Sequence, residues 1–189
     1  MPNRKSALVT GASSGIGRQY AIFLAKSGYD IVAVARRVEL LEALATELKA
    51  YGAETKVVVA DLSTDDGIQA LADSSTVATL LPGTGLFLGK PQANGRKFLD
   101  HGVKVAIASD YNPGSCHCDN LMMVASLAAP IYKMNIAELW AAITLNASHA
   151  LGLYDQGHLS VGLKPRFTIF NTDSIDRITY NWGKNLARN

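Results

Sequence analysis

Between positions 10 and 17 the chain reads Thr-Gly-Ala-Ser-Ser-Gly-Ile-Gly, and this spacing suits the binding of a phosphate group. Glycines at such spacing let the backbone turn tightly and come close to a pyrophosphate. The helix that starts there offers unpaired N–H groups and a partial positive charge. A lone glycine pattern says little. Here a strand precedes the run, a helix follows it and a second strand comes next, all at the spacing of a dinucleotide-binding unit. The bland alternative is a tight turn kept without its ligand.

Metal chemistry finds less support. The two cysteines flank a histidine in Cys116-His117-Cys118. Side chains of consecutive residues diverge, whereas a structural zinc site needs four converging ligands at wider spacing. Exposed loop residues are the expectation. The four histidines are His101, His117, His149 and His158, and no two stand in a His-x-His pair. His149 falls within a predicted helix, packed or facing solvent.

These residues need elements to position them. Residues 6–10 read as a strand, 11–17 as the loop and 18–27 as a helix with Ala21, Leu24 and Ala25 on its apolar face. A second strand covers 30–35, a helix 38–50 carries a stripe of Leu40, Leu41, Leu44 and Leu48, and a third strand covers 55–60. This alternation predicts a parallel sheet with right-handed crossovers. Further on, residues 63–75 read as a helix start followed by a polar stretch, with a change of character between about 64 and 77. The pattern then predicts strands at 76–81 and 103–109 and helices at 94–101, 119–134 and 136–151. Leu81-Pro82-Gly83-Thr84-Gly85 reads as the loop closing strand 76–81. Pro130 should kink or shorten its helix, and Asn135 with Glu138 has capping-box spacing. Residues 159–161 and 167–170 are short strand candidates. The expected fold is therefore α/β: a Rossmann-like, doubly wound, mostly parallel sheet of about five strands with a C-terminal helical and short-strand extension. Residues 1–75 would form the dinucleotide-binding unit, and 76–189 would complete the same sheet.

Formal net charge is +2 and no Lys/Arg-rich run occurs, so nothing points to nucleic acid. No apolar run approaches the ~20 residues that span a bilayer. The opening Met-Pro-Asn-Arg-Lys leads straight into a strand rather than an apolar leader, so a cytoplasmic location is expected. A homo-oligomer is compatible with all of this.

Residues 5–73 resemble the short-chain dehydrogenases/reductases, whose first motif reads TGxxxGIG. The resemblance implies that Gly11, Ser13, Ser14, Gly15, Ile16 and Gly17 line a dinucleotide. In that family an acidic residue ending the second strand binds the adenosine ribose. The matching position here is Ala35, followed by Arg36 and Arg37. Loss of the carboxylate and gain of guanidinium groups suits the 2′-phosphate of NADP(H). Asp61 and Leu62 match the adenine contact. The family's Asn-Asn-Ala-Gly segment is absent. Its catalytic Tyr-x-x-x-Lys has one counterpart, Tyr180 and Lys184, far from any other likeness to the family.

Residues 77–189 resemble the C-terminal part of the imidazolonepropionases, members of the amidohydrolase superfamily. The stretches that carry this are 80–84, 102–106, Ala108-Ser109-Asp110-Tyr111-Asn112-Pro113-Gly114-Ser115, 145–147, 150–152, 157–162 and 180–186. The resemblance places Asp110 at the end of the last barrel strand as a ligand of the catalytic metal. It places Asn112, Gly114 and Ser115 against substrate. The family's other metal ligands, a His-x-His pair and a further His, are missing, so a bound metal is not expected. Three readings compete: an NADP(H)-binding, oxidoreductase-like protein without the usual catalytic set; a metal-dependent amidohydrolase with an incomplete site; and a fused protein with no specific activity.

Overall fold

In the computed structural model, which describes residues 4–74 and 76–187, each parallel strand pair is joined by a crossover that contains a helix. Such pairs need a connection of a dozen residues or more. Two units result, Met1–Gly67 and Ile68–Asn189. Ser75, where the sequence reading drew its boundary, lies outside the described residues.

In the first unit β1 (Lys5–Thr10), β2 (Tyr29–Ala35) and β3 (Thr55–Val59) pair in that order, Ala7 opposite Ile31 and Ile31 opposite Thr55. Helices α1 (Gly15–Lys26) and α2 (Val38–Lys49) cover them. Helix α1 buries Ala21, Ile22 and Ala25, and α2 buries Leu41, Leu44 and Leu48. Leu40 stays 40% exposed, a correction to the expected stripe. Positions 41, 44 and 48 share one face at 3.6 residues per turn, and position 40 falls beside it. Gly28 and Gly52, with φ of 88° and 68°, follow the two helices in the left-handed conformation glycine adopts readily. Helix α3 (Asp65–Ala72) fills most of the stretch 63–75 that the sequence reads as a helix start followed by polar residues.

In the second unit β4 (Val77–Leu80) pairs with β5 (Lys104–Ile107), Leu80 opposite Ile107. Around them stand α4 (Pro82–Phe87), α5 (Gly95–Asp100), α6 (Leu121–Tyr132), α7 (Ile136–Ile143), α8 (Leu145–Ala150) and α9 (Asp176–Tyr180). Val105, Ile107, Val124, Ala128, Tyr132 and Leu139 form the core. Burial raises the Tyr132 phenol to about 12, and its hydroxyl donates to Gln92 Oε1 at 3.0 Å.

The structure corrects the sequence reading at several points. The five strands are parallel as expected, but they divide three and two instead of forming one hydrogen-bonded sheet. Each set packs with its own cluster of buried side chains, so burial does not require the ladders to join. Residues 82–87 form a helical turn, not a loop, because Pro82 at its first turn needs no N–H partner. The expected helix 136–151 breaks at Thr144 (φ −125°, ψ −87°), whose hydroxyl donates back to Trp140 O at 2.6 Å. Helix α6 passes through Pro130 and stops at Tyr132, where Lys133 turns left-handed with φ 52°. The candidates 159–161 and 167–170 are not strands. Only Phe170 makes a bridge, to Ala187, and alternating apolar residues cannot form a strand without a partner ladder.

The capping box of α7 is complete. Asn135 Oδ1 accepts from Glu138 N, and Glu138 Oε2 accepts from Asn135 N, both at 2.9 Å. Arg96 closes on the same carboxylate with two bonds of 2.9 Å. The Arg96 hydrogen bonds hold the Glu138 carboxyl below its usual range, and the Asn135 N–H adds to this. Asn135→Ala is expected to lower stability by ~1 kcal/mol in urea denaturation; an unchanged midpoint would count against the cap. Because the folded Glu138 titrates below its unfolded value, its contribution is present above about pH 4–5 and fades as pH falls through the lowered value.

Candidate functional site

The glycine loop joins β1 to α1 at the carboxyl ends of the first sheet. Gly11 and Gly15 have φ of 64° and 57°, which glycine adopts without the clash a Cβ brings. At Gly17 the constraint is different: a Cβ would stand 2.5 Å from Gly11 O and 2.8 Å from Thr10 O. That close approach holds the first turn of α1 against the end of β1. The N–H groups of Gly15, Ile16 and Gly17 open the helix, where no preceding carbonyl lies in helical register. The Ser14 side chain does not cap them.

A cavity of ≈ 380 Å³ lies over this loop, walled by Gly11, Ser13, Ser14, Arg36, Arg37 and Asp61, with Ala35 and Leu62 also against it. The structure thus brings together residues from three separate strand ends. Gly15, Ile16 and Gly17 border the loop without lining the cavity, and Ile16 is 89% exposed. Arg37 donates to Ser13 Oγ at 3.2 Å and Ser14 Oγ at 2.7 Å. Arg36 is 77% exposed and stands 3.8 Å from Asp61 Oδ2. Hydrogen bonds from the Ser63 hydroxyl and then the Ser63 N–H lower the Asp61 carboxyl below its usual range, with Arg36 adding a smaller pull. Gly67 matters here too, since a Cβ there would meet Asp61 O at 2.1 Å. Sequence reading missed the contact of Arg37 with the serines and the role of Gly67. Neither has a local signal, because each partner is distant in the chain or is a backbone atom.

In the second unit Asp110 follows β5 in the left-handed region (φ 52°) and accepts a hydrogen bond from Thr84 Oγ1 at 2.7 Å. Asn112 organises the turn: its Oδ1 accepts from Gly114 N and Ser115 N at 2.9 and 2.8 Å, and its Nδ2 donates to Asp110 O at 2.6 Å. Thr84 was not singled out from sequence, being 26 residues from its partner. Cys116 is buried, a correction to the expected exposed loop residue, because its Sγ packs against Gly83. His117 shares a 3.1 Å hydrogen bond with Tyr111, and Cys118 Sγ lies 3.8 Å from Asn120 O, so the three neighbours do diverge. Among the described residues no three His, Cys, Asp or Glu side chains gather where they could hold a metal. A metal centre does not fit this donor set. Tyr180 is 85% exposed on α9. No helix of the described residues is long and apolar enough to cross a membrane.

Imidazolonepropionases of Bacillus mycoides and Bacillus anthracis are each 42% identical over 123 residues, covering 64% of this chain and 29% of their own. The chain thus spans less than a third of the length of these relatives. A zinc-bound adenosine deaminase from Xanthomonas campestris superposes with a TM-score of 0.63 at 13% identity, covering 96% of this chain and 57% of its own, a likeness of fold alone. A putative short chain dehydrogenase from Escherichia coli CFT073, solved with NADPH, is 30% identical over 42% of this chain and 36% of its own, with a TM-score of 0.35. The short chain dehydrogenase model matches residues 5–112, further than the 5–73 that carried the resemblance in the sequence. The chain is thus two-part in its likenesses, and with more than half of its length matched by that model it belongs to the short chain dehydrogenase family.

Proposed function

We propose that the first unit binds NADP(H), and that the protein is an oxidoreductase-like binder of this dinucleotide. The observation that carries the proposal is the cavity over the glycine loop, with two arginines at its wall and no carboxylate at Ala35. In this reading Gly11, Ser13, Ser14, Gly15, Ile16 and Gly17 cradle the pyrophosphate through backbone N–H groups and hydroxyls. Arg36 and Arg37 meet the 2′-phosphate, and Asp61 and Leu62 border the adenine. Arg37 already directs its guanidinium at the loop serines, so a phosphate there exchanges neutral acceptors for charged ones. The nicotinamide would supply hydride transfer. No side chain of this chain is assigned as its acid or base.

Preference for NADP(H) over NAD(H) should reside mainly in Arg36. Arg36→Ala is expected to weaken NADPH about 10- to 100-fold while leaving NADH almost unchanged, the scale of one charge-assisted hydrogen bond. Ala35→Asp should shift preference towards NADH, because a carboxylate accepts from the 2′-OH and repels phosphate. Fluorescence titrations at fixed ionic strength decide it, since salt screens a phosphate contact. Equal affinity of the unaltered protein for both cofactors would reject the arginine assignment.

The 42% identity to imidazolonepropionases favours a second reading, hydrolysis of a cyclic amide with Asp110 as metal ligand and Asn112, Gly114 and Ser115 at the substrate. The geometry argues against it. Asp110 is bonded to Thr84, and Asn112 and Ser115 bond one another at 2.9 Å. Without a full ligand set no water is activated as nucleophile. Protein purified without chelator is therefore expected to hold no stoichiometric zinc or iron and to leave imidazolone propionate unconsumed when divalent metal is added. Metal-dependent loss of the imidazolone absorbance, removed by Asp110→Ala, would restore the second reading.

A further inference from the structure

We propose that the second unit carries a binding site for a small apolar carboxylate. Its place is a cavity of ≈ 630 Å³ walled by Trp140, Phe167 and Phe170, with Arg166 as its cation. This volume lies within the range of small-molecule sites, which are mostly apolar with a few placed polar groups. The Trp140 and Phe170 rings meet edge to face, 5.9 Å apart at 81°, so the aromatic wall has a defined geometry.

The cavity is built into the fold. Buried Ser148 on α8 donates to Leu145 O at 2.8 Å and Gln156 O at 3.1 Å, and its carbonyl accepts from Leu153 N at 2.9 Å. The next residue, Gly157 (φ 96°), packs so tightly that a Cβ would fall 2.2 Å from Ser148 Oγ. These contacts pin the loop after α8 against the helix that forms the opposite wall.

Charge selects the ligand. The lining includes Arg166 and His158 and no Asp or Glu. The neighbouring acid, Asp155, pairs with Lys164 at 2.6 Å and also feels the charge of Arg166, though without an ion pair or hydrogen bond between those two. No hydrogen bond or ion pair among the described residues holds the Arg166 guanidinium, which is exposed at the cavity. An anionic head on an apolar body matches both halves of the wall. Two lining residues also carry buried polar atoms without a partner, Trp140 Nε1 and Gln156 Oε1, and such atoms are uncommon in a wall that needs nothing further. Leu159 and Phe167 leave apolar surface open at the same place, which a ligand would cover.

Calorimetric titration of the full chain with octanoate, octan-1-ol and octylammonium tests the proposal. Octanoate should bind at sub-millimolar concentration, at least tenfold more tightly than octan-1-ol, and octylammonium should not bind. Arg166→Ala, at an exposed position that leaves the fold intact, should weaken octanoate about tenfold, and Arg166→Lys should restore most of that loss. Ala147→Phe, which fills the cavity from α8, should abolish binding while the circular dichroism spectrum is unchanged. Equal affinity for octanoate and octan-1-ol, an unchanged affinity in Arg166→Ala, or no octanoate binding at millimolar concentration would each overturn it. NADPH binding by the first unit is unaffected by any of these outcomes.

Discussion

Replacing Gly17 by alanine is expected to lower NADPH affinity by at least tenfold and to destabilise the first unit. The added Cβ would stand 2.5 Å from Gly11 O and 2.8 Å from Thr10 O, well inside van der Waals contact. Both obstacles are backbone, so neither can rotate aside as a flexible side chain would. The first turn of α1 must withdraw from the end of β1, carrying with it the N–H groups of Gly15, Ile16 and Gly17. Overpacking of this kind costs ~1–3 kcal/mol in stability, and a loss of ~1.4 kcal/mol in binding is already tenfold in affinity. Gly114→Ala serves as a control for glycine replacement, since its backbone is not left-handed and a Cβ there meets only Asn112 Oδ1, at 3.4 Å. Thermal melting and cofactor titration of the two variants provide the comparison. Wild-type affinity in Gly17→Ala would mean that the close approach has no part in holding a ligand.

Leu44→Ala should produce the largest loss of stability, ~2–5 kcal/mol. Leu44 is fully buried in the cluster that α2 forms with Val9, Ile31 and Ala33 of the first sheet. Removing its branched end leaves a cavity that three strands and two helices cannot collapse to fill. Against a total of ~5–15 kcal/mol for an ordinary domain, this is enough to populate unfolded forms of the unit. Hydrogen exchange read by mass spectrometry should show faster exchange in β1, β2 and β3. Leu40→Ala makes the contrast, since that side chain is 40% exposed and should cost far less. Equal effects at the two positions would contradict the assignment of the buried face.

The two likenesses of the chain differ in what they demand of the fold. A dinucleotide loop is local: β1, the turn and α1 are contiguous, and the second strand end arrives with the next crossover. The amidohydrolase likeness depends on ligands spread around a barrel. Asp110 follows β5 three residues beyond its end at Ile107, and its carboxylate is met by Thr84 and by no cluster of metal-binding side chains among the described residues.

What the sequence determined by itself was whatever neighbouring residues decide among themselves. The glycine run, the apolar faces of α1 and α2, the left-handed glycines after them and the capping box at Asn135 and Glu138 all follow from local spacing. Each was readable to within a few residues of its observed place. The tertiary structure alone decided the rest. Strand partners are chosen by which apolar faces can be buried together, so five parallel strands became sheets of three and two. Thr144 broke a helix whose periodicity ran unbroken, because its hydroxyl found the Trp140 carbonyl. Residues 159–161 and 167–170 have strand-like alternation but no adjoining ladder to satisfy their backbone, and Leu159, Phe167, Thr168 and Phe170 line a cavity instead. Arg37 settled on Ser13 and Ser14, and Thr84 on Asp110, over separations that no local pattern records. Propensity and spacing act over a few residues, whereas pairing and site geometry depend on which distant groups meet once the chain is folded.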